Sequence, residues 1–122
     1  MKHILIVEDE LSMQRALKNK LEQSGYRIST AADGNAALEE IRAKKPDLVL
    51  LDLIMPKLDG ISVLREVKKD DELRNIPVVI LTNLSTGDKV AEAMQLGTFD
   101  FLVKANYSLD DVLKKVRERI GE

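Results

Sequence analysis

The sequence predicts an α/β fold, a five-stranded parallel sheet with helices on both faces. Two observations predict it. Short unbroken aliphatic runs, Ile4-Leu5-Ile6-Val7 and Leu48-Val49-Leu50-Leu51, suit strands buried on both sides, as parallel strands are. Between such runs lie stretches whose apolar residues recur at helical spacing, and the two types alternate strictly. With 122 residues, 44% hydrophobic and 33% charged, the chain fits one domain with a substantial core.

Taken in order, the first strand ends in acid, Glu8-Asp9-Glu10. Met13, Ala16, Leu17 and Leu21 mark a helix over Leu11 to Ser24 that Gly25 stops. Tyr26-Arg27-Ile28-Ser29-Thr30 alternates, as a half-exposed edge strand does. Asp33-Gly34 opens a short helix with Ala37, Leu38 and Ile41 inward, closed by Lys44-Lys45-Pro46. The central strand follows and ends in Asp52. Asp59-Gly60 starts a helix with Ile61, Leu64 and Val67 inward, and Lys68-Lys69-Asp70-Asp71-Glu72 reads as a solvated face. Ile76-Pro77-Val78-Val79-Ile80-Leu81 is the fourth strand, ending in Thr82. Val90, Ala93 and Met94 mark the next helix, stopped by Gly97. Phe99-Asp100-Phe101-Leu102-Val103 is the fifth strand, ending in Lys104. Ser108 with Asp111 forms a variant capping box, ahead of a stripe of Leu109, Val112, Leu113, Val116 and Ile120. Asp33 and Asp59 read as caps, and His3 as a structural or exposed residue without an evident partner.

Composition narrows the function. The chain has no cysteine, which excludes disulfides, thiolate metal sites and cysteine nucleophiles. A net charge of −2 gives no general case for nucleic-acid binding. No apolar run approaches the roughly 18–20 residues that span a membrane, and the start is too short in apolar residues for a signal peptide. A cytoplasmic protein with no membrane or direct nucleic-acid partner is expected.

The strand ends carry the chemistry. In a parallel sheet all carboxyl ends lie on one edge, so Glu8, Asp9, Asp52, Thr82 and Lys104 can converge there. Crowded carboxylates need a cation, and an all-oxygen site suits a hard ion such as magnesium. Lys104 adds a positive charge and Thr82 a hydroxyl donor, a combination that stabilises phosphoryl oxygens. A carboxylate in such a site can itself take the phosphoryl group.

These residues stand in four fragments: Ile6-Val7-Glu8-Asp9-Glu10; Leu51-Asp52-Leu53-Ile54-Met55-Pro56 with Asp59-Gly60; Leu81-Thr82; and Phe101-Leu102-Val103-Lys104. In this order, each at a strand end, they make the chain resemble the receiver domain of two-component response regulators over essentially its whole length. The resemblance implies a doubly wound, flavodoxin-like sheet of strand order 2-1-3-4-5 with five helices. It implies a phosphorelay module that is not an enzyme toward external substrates. Asp52 would accept a phosphoryl group from a histidine kinase or a histidine phosphotransfer protein. Glu8, Asp9, Asp52 and the Ile54 backbone carbonyl would hold Mg2+ or another hard divalent cation such as Mn2+. Thr82, the Asn83 backbone and Lys104 would hold phosphoryl oxygens, with Thr82 and Phe101 acting as the switch. An output protein would read the surface from Ser85 to Ile120, on a monomer or a phosphorylation-dependent dimer. The end soon after the fifth helix resembles the stand-alone, chemotaxis-type members, so a single receiver domain over 1–122 is expected, without an output domain.

The sequence also departs from the family pattern. Ala105 replaces the usual proline after Lys104, and a cis bond before a non-proline residue costs roughly 2.5–4 kcal/mol, so a trans bond is expected. Asn83 stands where a small residue is usual. Ile54 and Leu84 are aliphatic where polar groups are frequent, which suggests hindered water and a long-lived phosphoryl group. A degenerate receiver that binds proteins without phosphorylation remains the alternative because of Ala105. Two others fit poorly. A dehalogenase-type phosphatase would need an acid where Ile54 stands, and a flavin site would not begin with Glu8-Asp9-Glu10.

Overall fold

The two periodicities in the sequence resolve into two cores, one on each side of a single sheet. The computed structural model describes residues 1–53, 59–82, 87–98, 100–103 and 108–121. The elements run β1 (His3–Val7), α1 (Leu11–Gln23), β2 (Arg27–Ala31), α2 (Gly34–Lys44), β3 (Leu48–Asp52), α3 (Gly60–Lys69), β4 (Val78–Thr82), α4 (Gly87–Gln95), β5 (Asp100–Val103) and α5 (Leu109–Ile120). All strands pair in parallel in the order β2-β1-β3-β4-β5. The parallel sheet with helices on both faces is the one the strand and helix patterns predict, and its strand order is the one the resemblance implies.

Side chains alternate across a strand, so each aliphatic run feeds both faces. Leu5, Val7, Val49, Leu51 and Ile80 pack with Leu38, Ile41, Ile61, Leu64 and Val67 of α2 and α3. Ile4, Ile6, Leu48, Leu50, Val79 and Leu81 pack with Leu17, Leu21, Val112 and Val116 of α1 and α5. β1 and β3 are buried throughout, whereas the edge strands β2 and β5 are half-exposed along most of their length.

The helix starts follow their caps. Asp33 accepts from the Ala36 N–H and Asp59 from the Ser62 N–H, both at 2.9 Å. Ser108 and Asp111 close a reciprocal capping box, at 2.8 and 3.2 Å, even though an aspartate fills the third helical position.

Four details differ from expectation. β2 begins at Arg27, because Tyr26 is buried beneath the end of α5 and its hydroxyl donates to the Gly121 carbonyl. β4 begins at Val78, since Pro77 has no N–H to donate, though its carbonyl accepts from Val49 at 2.9 Å. Met94 is 44% exposed; it lies on the outer side of α4, and Ala93 is the residue that turns fully inward. His3 is buried, with its Nε2 2.7 Å from Ser29 Oγ on β2 and its N–H donating to Asp47 at 2.7 Å. The Phe99 start expected for the fifth strand lies outside the described residues.

Candidate functional site at the carboxyl edge of the sheet

Just past the end of β1, the Glu8 N–H donates to the Ala31 carbonyl at 3.0 Å. Gln14 of α1 donates its amide to the Glu8 carbonyl at 3.0 Å, which ties the first turn of α1 to the strand end. The acidic triplet then divides. Glu8 is buried and Asp9 exposed at the site, while Glu10 becomes the residue preceding α1 and accepts from Ser12 Oγ at 2.9 Å. The Glu10 N–H in turn donates to Glu8 Oε1 at 3.2 Å.

Asp52 is buried at the end of β3, level with Leu81 of β4. Its backbone is fixed from an unexpected side. The Gly60 N–H donates to the Leu53 carbonyl at 3.0 Å. A Cβ on Gly60 would lie 2.3 Å from the Asp52 carbonyl oxygen and 2.6 Å from Leu53 Cα. Only glycine lets α3 start this close to the strand that carries Asp52. The sequence reading took Gly60 for a helix opener; the sole signal of its second role is the short interval between Asp52 and the Asp59-Gly60 pair.

Carboxylate oxygens of Glu8, Asp9 and Asp52 lie within 4.8 Å of one another. At that spacing the like charges repel strongly unless a cation lies among them. An all-oxygen donor set with an exposed member matches a hard divalent ion that keeps part of its water shell, so the residues fit such an ion. Asp59 stands beside the site without joining the cluster. Burial pushes its carboxyl up, but hydrogen bonds from Ser62 and the Lys89 ammonium, 3.2 Å away, outweigh this and hold it below the usual range.

Thr82 ends β4 in register with Val103 of β5, at the same edge of the sheet as Asp52. Phe101 pairs with Ile80, is half-buried and packs against the core on the α2 and α3 side. Ile54, Asn83, Leu84, Ser85, Lys104 and Ala105 lie outside the described residues, and so does the Lys104–Ala105 bond. Among the described residues, no helix is long and apolar enough to cross a membrane.

The family model described as "Response regulator receiver domain" matches residues 4–117. The chain belongs to the receiver domain family. The receiver is 42% identical over 103 residues to a probable transcriptional regulator ycf27 of Cyanophora paradoxa, a match that covers 84% of this chain and 42% of that protein. It is 41% identical over 117 residues to response regulator PleD of Caulobacter vibrioides, covering 95% of this chain and 25% of PleD. The chain thus spans about two fifths, or a quarter, of the length of these relatives. Among solved structures, the receiver domain of the Francisella response regulator 1452 is similar, with a TM-score of 0.87, 31% identity and 98% and 97% coverage of the two chains. The receiver domain of the Pseudomonas aeruginosa sensor histidine kinase PA1611 gives a TM-score of 0.88 at 29% identity over 99% and 98% of the two chains. In that protein a magnesium ion is coordinated in the active site cleft. Receiver domains are signalling modules that take a phosphoryl group onto an aspartate from histidine kinases and act on output partners.

Proposed function

We propose that Asp52 is the phosphoacceptor of this receiver and that its phosphorylation controls a protein partner. The observation that carries the proposal is the cluster itself: Asp52, buried at a strand end, has oxygens within 4.8 Å of those of Glu8 and Asp9. In the transfer, an Asp52 carboxylate oxygen bonds to phosphorus as the phosphorus–nitrogen bond of a phosphohistidine breaks, and the imidazole leaves on the donor. A divalent ion, when bound, supplies positive charge that offsets the incoming phosphoryl oxygens. Glu8, Asp9, Asp52 and the Ile54 carbonyl are the residues assigned to it, and Mg2+ is the ion proposed. Gly60 keeps the Asp52 backbone in place, and Glu8 holds its position through the Ala31 and Gln14 bonds. Thr82, the Asn83 backbone and Lys104 are assigned to the phosphoryl oxygens, and Phe101 to a switch that responds through β4 and β5. A histidine kinase or histidine phosphotransfer protein is the proposed donor, and the α4-β5-α5 side the proposed output face.

The test is intact mass after incubation with Mg2+ and a small phosphodonor. Wild type is expected to gain one phosphoryl adduct and Asp52→Asn none. An adduct of equal yield in the variant would move the acceptor elsewhere and overturn the assignment.

A further inference from the structure

α4 is attached to the rest of the molecule differently from α3. α3 buries Ile61, Val63, Leu64 and Val67 almost completely. Among the described residues of α4, only Ala93 is buried to that degree; Val90 and Leu96 at its end are half-covered and Met94 points outward. A helix with so little apolar anchorage opens at low cost, so polar ties contribute a larger share of what holds it. Among the described residues, two such ties run from α4, both to α3. Lys89 Nζ lies 3.2 Å from Asp59 Oδ2 at the start of α3, and Arg65 of α3 donates to Glu92 at 2.6 Å one turn further along. The first tie reaches the phosphoacceptor strand directly. Asp59 caps α3, and the next residue, Gly60, bonds to Leu53 and abuts the Asp52 carbonyl.

We infer that the Lys89–Asp59 and Glu92–Arg65 pairs form a latch that sets the position of α4 relative to Asp52 through α3. This route is separate from the one through Thr82 and Phe101, and its coupling to phosphorylation rests on the acceptor reading above. Any shift of the Asp52–Leu53 backbone is passed to Gly60, because no space separates them, and so to the residue that Lys89 holds. Coupling is reciprocal, so releasing the latch also changes how readily the site takes up its phosphoryl group. Both pairs are half-exposed, which limits each to a modest effect.

Hydrogen exchange of the α4 segment in the full chain tests this, with Lys89→Met, Asp59→Asn and the double variant compared with wild type. Asparagine keeps the cap of α3, so Asp59→Asn removes the charge pair alone. Each single variant is expected to exchange about two- to fivefold faster in α4, with the double variant no faster than either single one. Unchanged exchange, or additive effects, would overturn the latch. With the phosphodonor present, the phosphorylation-dependent change in α4 exchange is expected to shrink in the variants. A change as large as that of wild type would overturn the coupling. Intact mass on the same samples separates the two proposals. A wild type that takes up no phosphoryl group overturns the acceptor reading alone, and the unphosphorylated comparison still decides the latch.

Discussion

At the scale of single residues, glycine and histidine carry the sharpest consequences. Gly60→Ala places a methyl group where the Asp52 carbonyl oxygen now sits, 2.3 Å from the ideal Cβ, and the nearby atoms are backbone that cannot rotate away. The variant is expected to lose about 1–3 kcal/mol in a denaturant titration and to bind Mg2+ more weakly by calorimetry. A variant that binds as wild type does would show that the close approach positions nothing. His3 is governed by burial, which lowers its pKa, helped by the positive charges of Arg27 and Lys44 and opposed by Asp47 and Glu40. Its folded value therefore lies below the ordinary 6.5, and the unfolded chain binds the proton first. The contribution of His3 to stability is full above 6.5 and is lost as pH falls from there through the folded value. Chemical denaturation between about pH 7.5 and 5.5 is expected to show a steeper decline for wild type than for His3→Gln. The sequence shows nothing of the His3 environment and only the short Asp52-to-Gly60 interval of the other, because each depends on a neighbour brought by the fold: Ser29 lies on the adjacent strand and Asp52 on a different element from Gly60.

At the scale of elements, what the sequence states locally survives into the structure. Asp33, Asp59 and Ser108 cap the helices they precede because each short acceptor side chain reaches back to an N–H three residues on. Ser108→Ala is expected to lower stability by about 0.5–2 kcal/mol, measured by thermal or chemical unfolding, since both halves of the capping box depend on that hydroxyl or its register. Lys45 ends α2 in the left-handed region at φ 45°, immediately before Pro46, where a side chain is strained. Lys45→Gly relieves this while losing only an exposed pair with Glu72, and a gain of roughly 0.5–1 kcal/mol is expected. An unchanged unfolding midpoint would mean that the loop tolerates the conformation without cost. α4 is the element whose pattern misleads. Spacing alone placed Val90, Ala93 and Met94 together, yet a helix with a narrow buried face leaves one of three such neighbours outside, and here it is Met94.

At the scale of the whole molecule, the fold is legible because one argument covers the first three strands: runs apolar on both sides must be central, and the alternating stretch must lie at an edge. β1 and β3 are central and β2 is an edge strand, as their patterns require. The site is legible for a related reason, since parallel strands bring Glu8, Asp9 and Asp52 to one edge without any further information. That convergence has a thermodynamic consequence. Asp52 meets Glu8 and Asp9 only in the fold, and carboxylates within 4.8 Å repel by about 1 kcal/mol per pair even with water-like screening. Asp9 is the exposed member, so Asp9→Asn removes charge with little loss of packing. Without divalent ions this variant is expected to unfold at a higher temperature than wild type. Binding to the folded state alone adds about 2.7 kcal/mol at a hundredfold excess over the dissociation constant, so Mg2+ should raise the wild-type midpoint by several degrees and that of Asp9→Asn far less. The two stabilities then cross as Mg2+ is added, and a chelator restores the original order. Parallel shifts in both proteins would mean that the ion acts elsewhere on the surface. A less stable variant at every concentration would mean that Asp9 contributes to the fold by something other than its charge.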